Sequence, residues 1–86
     1  MAFDKSTITV PAGAQVTINF RNDDSGIPHN FAAYTTSAAQ EEIFKGQIID
    51  GGTSTTYQFT APTTPGSYFF RCDVHPIEMT GTLVVQ

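Results

Sequence analysis

Short runs in which every second residue is apolar, cut apart by proline and glycine, dominate this chain and decide what it can become. Val16, Ile18 and Phe20 alternate with Thr17, Asn19 and Arg21, and Thr55, Tyr57 and Phe59 alternate with Thr56, Gln58 and Thr60. Thr7 to Val10 places Ile8 and Val10 on one face, and Tyr68, Phe70 and Cys72 share a face further on. A period of two is that of a half-buried strand, because successive side chains leave a strand on opposite sides. His29 to Tyr34, Gln47 to Asp50 and Thr80 to Val85 read as further strands. Pro11 to Gly13, Asn22 to Gly26, Gly51-Gly52 and Ala61 to Gly66 supply the turns. One stretch breaks the pattern. Ser37 with Gln40 fits a capping box, Ala38 to Lys45 favours helix and Gly46 fits a stop, so one short helical turn is expected near residues 37–46. Seven to eight strands in 86 residues predict an all-β, Greek-key β-sandwich as one domain over residues 1–86. An SH3-like or OB barrel is the structural alternative.

Composition excludes several roles. Four Lys+Arg against eight Asp+Glu give a net charge of −4, too few cations for a nucleic-acid footprint or an anionic membrane surface. No apolar run approaches a membrane span, and no charged segment followed by an apolar stretch opens the chain as a signal peptide would. With 40 % hydrophobic and 14 % charged residues the chain has the material for a core and is not expected to be disordered. The single cysteine, Cys72, precludes an internal disulfide.

Four residues carry the chemistry: His29, Cys72, His75 and Met79. They are both histidines, the only cysteine and the only methionine besides Met1. Taken singly, each has a bland explanation, as a buried small thiol, core filler or a satisfied histidine. Together they form a soft, mixed donor set, and a trigonal His₂Cys site with a weak axial Met is the pattern of a blue-copper electron-transfer centre. Zinc is the nearest competing metal, but a thioether adds nothing for it. A Cys-His hydrolase would need an orienting group and an oxyanion hole and would leave Met79 without a role. The acidic pairs Asp23-Asp24 and Glu41-Glu42 read as solvated surface. No phosphate-binding glycine loop or zinc-protease helix motif is present.

The segments Ile27-Pro28-His29-Asn30-Phe31 and Tyr68 to Val85, with Cys72-Asp-Val-His75-Pro-Ile-Glu-Met79 at their heart, resemble the cupredoxins of the plastocyanin, amicyanin and pseudoazurin branch. The resemblance implies a two-sheet Greek-key fold and one type 1 copper ion, with His29, Cys72 and His75 equatorial and Met79 axial. It implies that Asn30 hydrogen-bonds across to the cysteine-bearing loop and that His75 is the surface port for electrons. Three residues separate His75 from Met79. Plastocyanin-like loops usually have four there and amicyanin-like loops two.

The function so implied is a small blue copper protein that shuttles single electrons and is not an enzyme. By the same resemblance Gly13, Ile27, Pro28, Pro76 and Ile77 surround His75 as an apolar docking patch for redox protein partners, donor and acceptor. A monomer is expected, without membrane insertion, in the periplasm or another extracytoplasmic space. Two alternatives stand beside it: a copper-delivery module, and a cupredoxin domain cut from a larger membrane-anchored or multicopper protein.

Overall fold

A computed structural model describes all 86 residues and holds seven strands. They are β1 (Thr7–Val10), β2 (Gln15–Arg21), β3 (Ala32–Tyr34), β4 (Glu42–Lys45), β5 (Ser54–Thr60), β6 (Gly66–Arg71) and β7 (Thr80–Val85). One sheet has five strands in the order β1-β7-β6-β3-β4, and the other pairs β2 with β5. β1 runs parallel to β7, and every other pairing is antiparallel. This is the sandwich the alternation predicts, and the barrel alternatives fall away. No helix is long and apolar enough to cross a membrane.

The inward residues of both sheets meet in one core. Val16 pairs with Phe59 and Ile18 with Tyr57 across β2 and β5. Phe70, Leu83 and Val85 face them from β6 and β7, within a buried cluster that includes Phe31 and Ala33. Phe31 sits at the centre, its ring 5.1 Å from Phe70 and 6.1 Å from Phe59. Burying such a ring stabilises the fold by about 1.5–3 kcal/mol. Phe70 lies over its cross-strand partner Gly81, where any Cβ would overlap the ring. Glycine there opens β7 to an aromatic neighbour.

Three expectations need correction. Residues 37–46 form no helical turn. Thr36 to Ala39 is a tight turn closed by the Ala39 N–H on the Thr36 carbonyl at 3.0 Å, and Ala39 is left-handed at φ 55°. Glu42–Lys45 then becomes β4, paired to β3, with the Phe44 ring stacked 5.0 Å from Phe59. A helix so short gains little on its own. Sheet pairing satisfies the same backbone and packs the half-buried Phe44 against the core as well. The stretch His29 to Tyr34 is also divided. Only Ala32–Tyr34 is strand, while His29 and Ile49 exchange two backbone hydrogen bonds, 3.1 and 2.8 Å, as an isolated bridge. The strand expected at Gln47 to Asp50 is reduced to that bridge.

Candidate metal centre

The β6–β7 hairpin ends at the pair Arg71↔Thr80, which leaves Cys72 to Met79 as its loop. Cys72 follows β6 directly and is wholly buried, and Met79 precedes β7 and is 3 % exposed. The Cys72 N–H donates to the Met79 carbonyl at 3.0 Å, pinning the loop at its base. Inside the loop the Met79 N–H donates to the His75 carbonyl at 3.1 Å, so the three intervening residues make a single i→i+4 turn. His29 reaches the same end of the sandwich from the segment before β3, held by its bridge to Ile49, and is 3 % exposed.

His29 and Cys72 come together: Nδ1 of the imidazole stands 3.7 Å from Sγ. The His75 ring lies edge-on to the His29 ring with centroids 4.9 Å apart. Its Nε2 is buried and has no hydrogen-bond partner. Met79 and His29 both line a recess of about 350 Å³ whose walls include Phe3, Asn22 and Asp24. The histidine, cysteine and carboxylate donors do not close into a three-donor cluster. The close pair is His29 with Cys72, and His75 borders it.

These residues fit a thiolate-bound metal ion. Imidazole nitrogen and thiolate sulfur held at about 2.0 and 2.3 Å by one ion, at tetrahedral or trigonal angles, stand roughly 3.5–3.7 Å apart. The 3.7 Å separation falls in that range. An unpartnered, buried imidazole nitrogen is costly unless something accepts its lone pair or proton, and a metal ion does so. The soft sulfur donors favour copper over harder ions.

A polar clasp ties the two loops together behind the donors. Asn30 is wholly buried, and its backbone N–H points at Cys72 Sγ across 3.4 Å. Its side-chain oxygen accepts the Asp73 N–H at 2.8 Å, while its amide donates to the Gly46 carbonyl at 2.9 Å and to Asp73 Oδ2 at 3.1 Å. Tyr34 donates to Asp73 Oδ1 at 2.6 Å and Arg71 donates to the same oxygen at 3.0 Å. The Arg71 guanidinium also lies 4.9 Å from the centre of the Tyr34 ring. Burial pushes the Asp73 carboxyl up, but hydrogen bonds from Tyr34, Asn30 and Arg71 outweigh it and hold it below the ordinary carboxylate range. Burial pushes the Tyr34 phenol up, and its bond to the Asp73 carboxylate adds to the shift.

The expected docking residues divide. Pro28, Pro76 and Ile77 are exposed, Ile77 to 87 %, and Ile27 is half-buried. Gly13 lies elsewhere. Its N–H bonds the Pro62 carbonyl, and neighbouring Ala12 bonds Gln86 just beyond β7. Met79 stands at the opposite end of that strand, roughly 23 Å away along it. The parallel pairing of β1 with β7 puts the Pro11–Gly13 turn at the far end of the sandwich. Two residues escaped sequence reasoning. Asp24, read as solvated surface, accepts a hydrogen bond from His29 Nε2 at 2.7 Å. Ile48 is a large apolar side chain, 48 % exposed, beside the His29↔Ile49 bridge. Nothing local marks either one. Their positions follow from loop closure.

Comparison with known proteins agrees with this geometry. No curated protein sequence matches the chain. Among solved structures, dithionite-reduced auracyanin from the photosynthetic bacterium Roseiflexus castenholzii is 28 % identical with a TM-score of 0.87, over 99 % of this chain and 87 % of that one. Auracyanin A, a "blue" copper protein from the green thermophilic photosynthetic bacterium Chloroflexus aurantiacus, is 29 % identical with a TM-score of 0.84, over 99 % of this chain and 89 % of that one. A reduced Cu(I) amicyanin variant is 26 % identical with a TM-score of 0.67, over 100 % and 74 %. The family model for cupredoxin-like domains matches residues 1–85. Matched over all but its last residue, the chain belongs to the cupredoxin-like family and takes one type 1 copper ion as its cofactor.

Proposed function

We propose that this chain is a small one-electron carrier in which His29, Cys72, His75 and Met79 would hold the copper ion. The observation that carries the reading is the buried approach of His29 Nδ1 to Cys72 Sγ at 3.7 Å, with the unpartnered Nε2 of His75 beside it. Copper bound there supplies a Cu(II)/Cu(I) couple. The protein's part is to fix the donors. Cys72 and Met79 are anchored at the two strand ends that begin and close one loop, and His29 is bridged to Ile49. Donors held in this way move little between oxidation states. Cys72, His29 and Met79 are all buried, so water is kept from the sulfur ligands.

The surrounding surface suits brief contacts. Val74, Pro76, Ile77 and Pro28 present exposed apolar atoms on the loops that bear His75 and His29. Small apolar patches of this kind favour weak, short-lived complexes with redox protein partners, donor and acceptor. The net charge of −4 suits partners with a basic docking face, and transfer rates then fall with added salt. Both histidines serve the single site, which leaves no donors for a second, catalytic copper. We therefore read the chain as a carrier and not an enzyme, acting as a monomer in an extracytoplasmic space. A delivery role fits less well, because handing over metal needs open, exchangeable donors.

The test is one equivalent of Cu(II) added to the apo-protein, followed by visible and EPR spectra. The expected result is an intense blue band with narrow copper hyperfine splitting, bleached by a one-electron reductant. A pale complex with ordinary splitting would overturn the ligand assignment.

A further inference from the structure

His29 is engaged at both nitrogens. Nδ1 faces Cys72 Sγ at 3.7 Å, and Nε2 lies 2.7 Å from Asp24 Oδ2. A carboxylate accepts hydrogen bonds and does not donate them, so the hydrogen in that contact belongs to Nε2. A neutral imidazole carries one ring hydrogen, which leaves the lone pair on Nδ1, pointing into the proposed ligand cluster. We propose that Asp24 is a positioning residue that holds His29 in its Nδ1-donor tautomer and, by pulling on Nε2–H, favours the oxidised ion over the reduced one. This rests on the ligand assignment proposed above.

The loop that carries Asp24 is built to place it. Asn22 is 1 % exposed and donates to the carbonyls of Ile27 at 2.7 Å and Ile49 at 3.1 Å. Its side-chain oxygen accepts the Asp24 N–H at 2.9 Å, and the Asp24 carbonyl accepts the Ile27 N–H at 3.0 Å. Asn22 thus ties the Asp24 turn to Ile49, whose backbone bridges His29 itself. Gly51 packs against the Asp24 carbonyl so closely that a Cβ would overlap it. Two stretches of chain, residues 22–29 and 49–51, therefore fix one carboxylate oxygen against one imidazole nitrogen. Asp23 next door is different: it is 77 % exposed and pairs with Arg21 on the surface. The two neighbours carry the same charge, but only one touches the histidine.

A carboxylate on the far nitrogen of a metal-bound histidine raises the ligand's basicity, and losing such a partner typically weakens metal binding about 10- to 100-fold. The more charged ion benefits more from the more basic ligand. Asp24→Ala is therefore expected to reduce the ratio of Cu(II) to Cu(I) affinity about tenfold, equivalent to a rise of about 59 mV in a one-electron potential. The substitution keeps both backbone hydrogen bonds of residue 24, so the turn survives it.

Two readings on wild type, Asp24→Ala and Asp23→Ala test the proposal. The first needs no copper. Long-range proton–nitrogen NMR of the apo-protein near about pH 8, where free imidazole is ordinarily neutral, reports which ring nitrogen carries the hydrogen. Wild type and Asp23→Ala are expected to show His29 with its hydrogen on Nε2, and Asp24→Ala a mixture of both tautomers. The second is the potential of the copper-loaded proteins, expected to rise in Asp24→Ala well beyond Asp23→Ala. An unchanged tautomer in Asp24→Ala, or a potential equal to that of Asp23→Ala, overturns the proposal. A wild-type protein that binds copper without a blue band would instead overturn the ligand assignment, and the copper-free reading would still decide the role of Asp24.

Discussion

Asn30→Ala isolates the clasp between the two loops. Asn30 is wholly buried and makes three side-chain hydrogen bonds, to the Gly46 carbonyl, the Asp73 N–H and the Asp73 carboxylate. Alanine removes all three and leaves the partners inside with nothing in their place. A neutral hydrogen bond contributes about 0.5–1.5 kcal/mol net, and one to a charged group about 1.5–3 kcal/mol. Two of the first kind and one of the second put the loss at about 2.5–6 kcal/mol. A domain of this length has only roughly 4–13 kcal/mol in hand. At about 4–8 °C per kcal/mol, the apo-protein's melting temperature should fall by roughly 10–48 °C. Thermal and urea unfolding of the apo-protein, followed by far-UV circular dichroism, measures this without any contribution from copper. The double variant with Asp73→Ala should lose less than the sum of the singles, since each has already removed the other's partner. A loss below about 1 kcal/mol, or additive losses in the cycle, would refute the claim that this pair joins the loops.

Two further outcomes follow from the same geometry. Asp73 titrates below its ordinary 3.8 in the fold, so its stabilising contribution is present above that value and is lost as pH falls through the lowered folded pKa. Tyr34 titrates above its ordinary 10.0, so its contribution is present below that value and is lost as pH rises through the raised folded pKa. Tyr34→Phe removes their shared bond. Its stability deficit against wild type, measured by urea unfolding across pH, should be widest at neutral pH and narrow toward both extremes. A deficit independent of pH would show that the bond to Asp73 is not its source. Gly81→Ala forces a methyl group into the Phe70 ring and should cost about 1–3 kcal/mol, with the near-UV aromatic spectrum disturbed. An unaltered unfolding midpoint would mean that the ring is free to move aside.

Alternation made most of this sandwich legible. β2 and β5 could be placed because Val16, Ile18, Phe20, Tyr57 and Phe59 sit at every second position, and a sheet with one buried face demands that spacing. Residues 37–46 misled for the opposite reason. Ala38, Gln40 and Glu41 carry a modest local preference for helix, whereas Phe44 has a place against Phe59 that only the assembled sheets create. The proposed donors were legible because their types are rare in this chain and three of them fall within one short loop. Gly13 was misplaced because the end of the sandwich a turn occupies depends on strand direction. The parallel pairing of β1 with β7 is not written in either strand.

Asp24 was hidden for a reason that also says how the site is held. The buried polar side chains of the molecule are Asn22, His29 and Asn30, all within one short stretch at the metal end, while the rest of the interior is apolar. Each reaches across to a segment distant in sequence: Asn22 to Ile49, His29 to Cys72, and Asn30 to Gly46 and Asp73. With its only cysteine free, this chain has no disulfide to fix loops that lie beyond the strand ends. Buried amides take that part, and they are demanding, because a buried polar group with a missing partner costs more than the bond it replaces. The segments carrying His29 and Cys72 can therefore reach their places only together. The same hydrogen bonds that fold this end of the sandwich hold His29 Nδ1 3.7 Å from Cys72 Sγ.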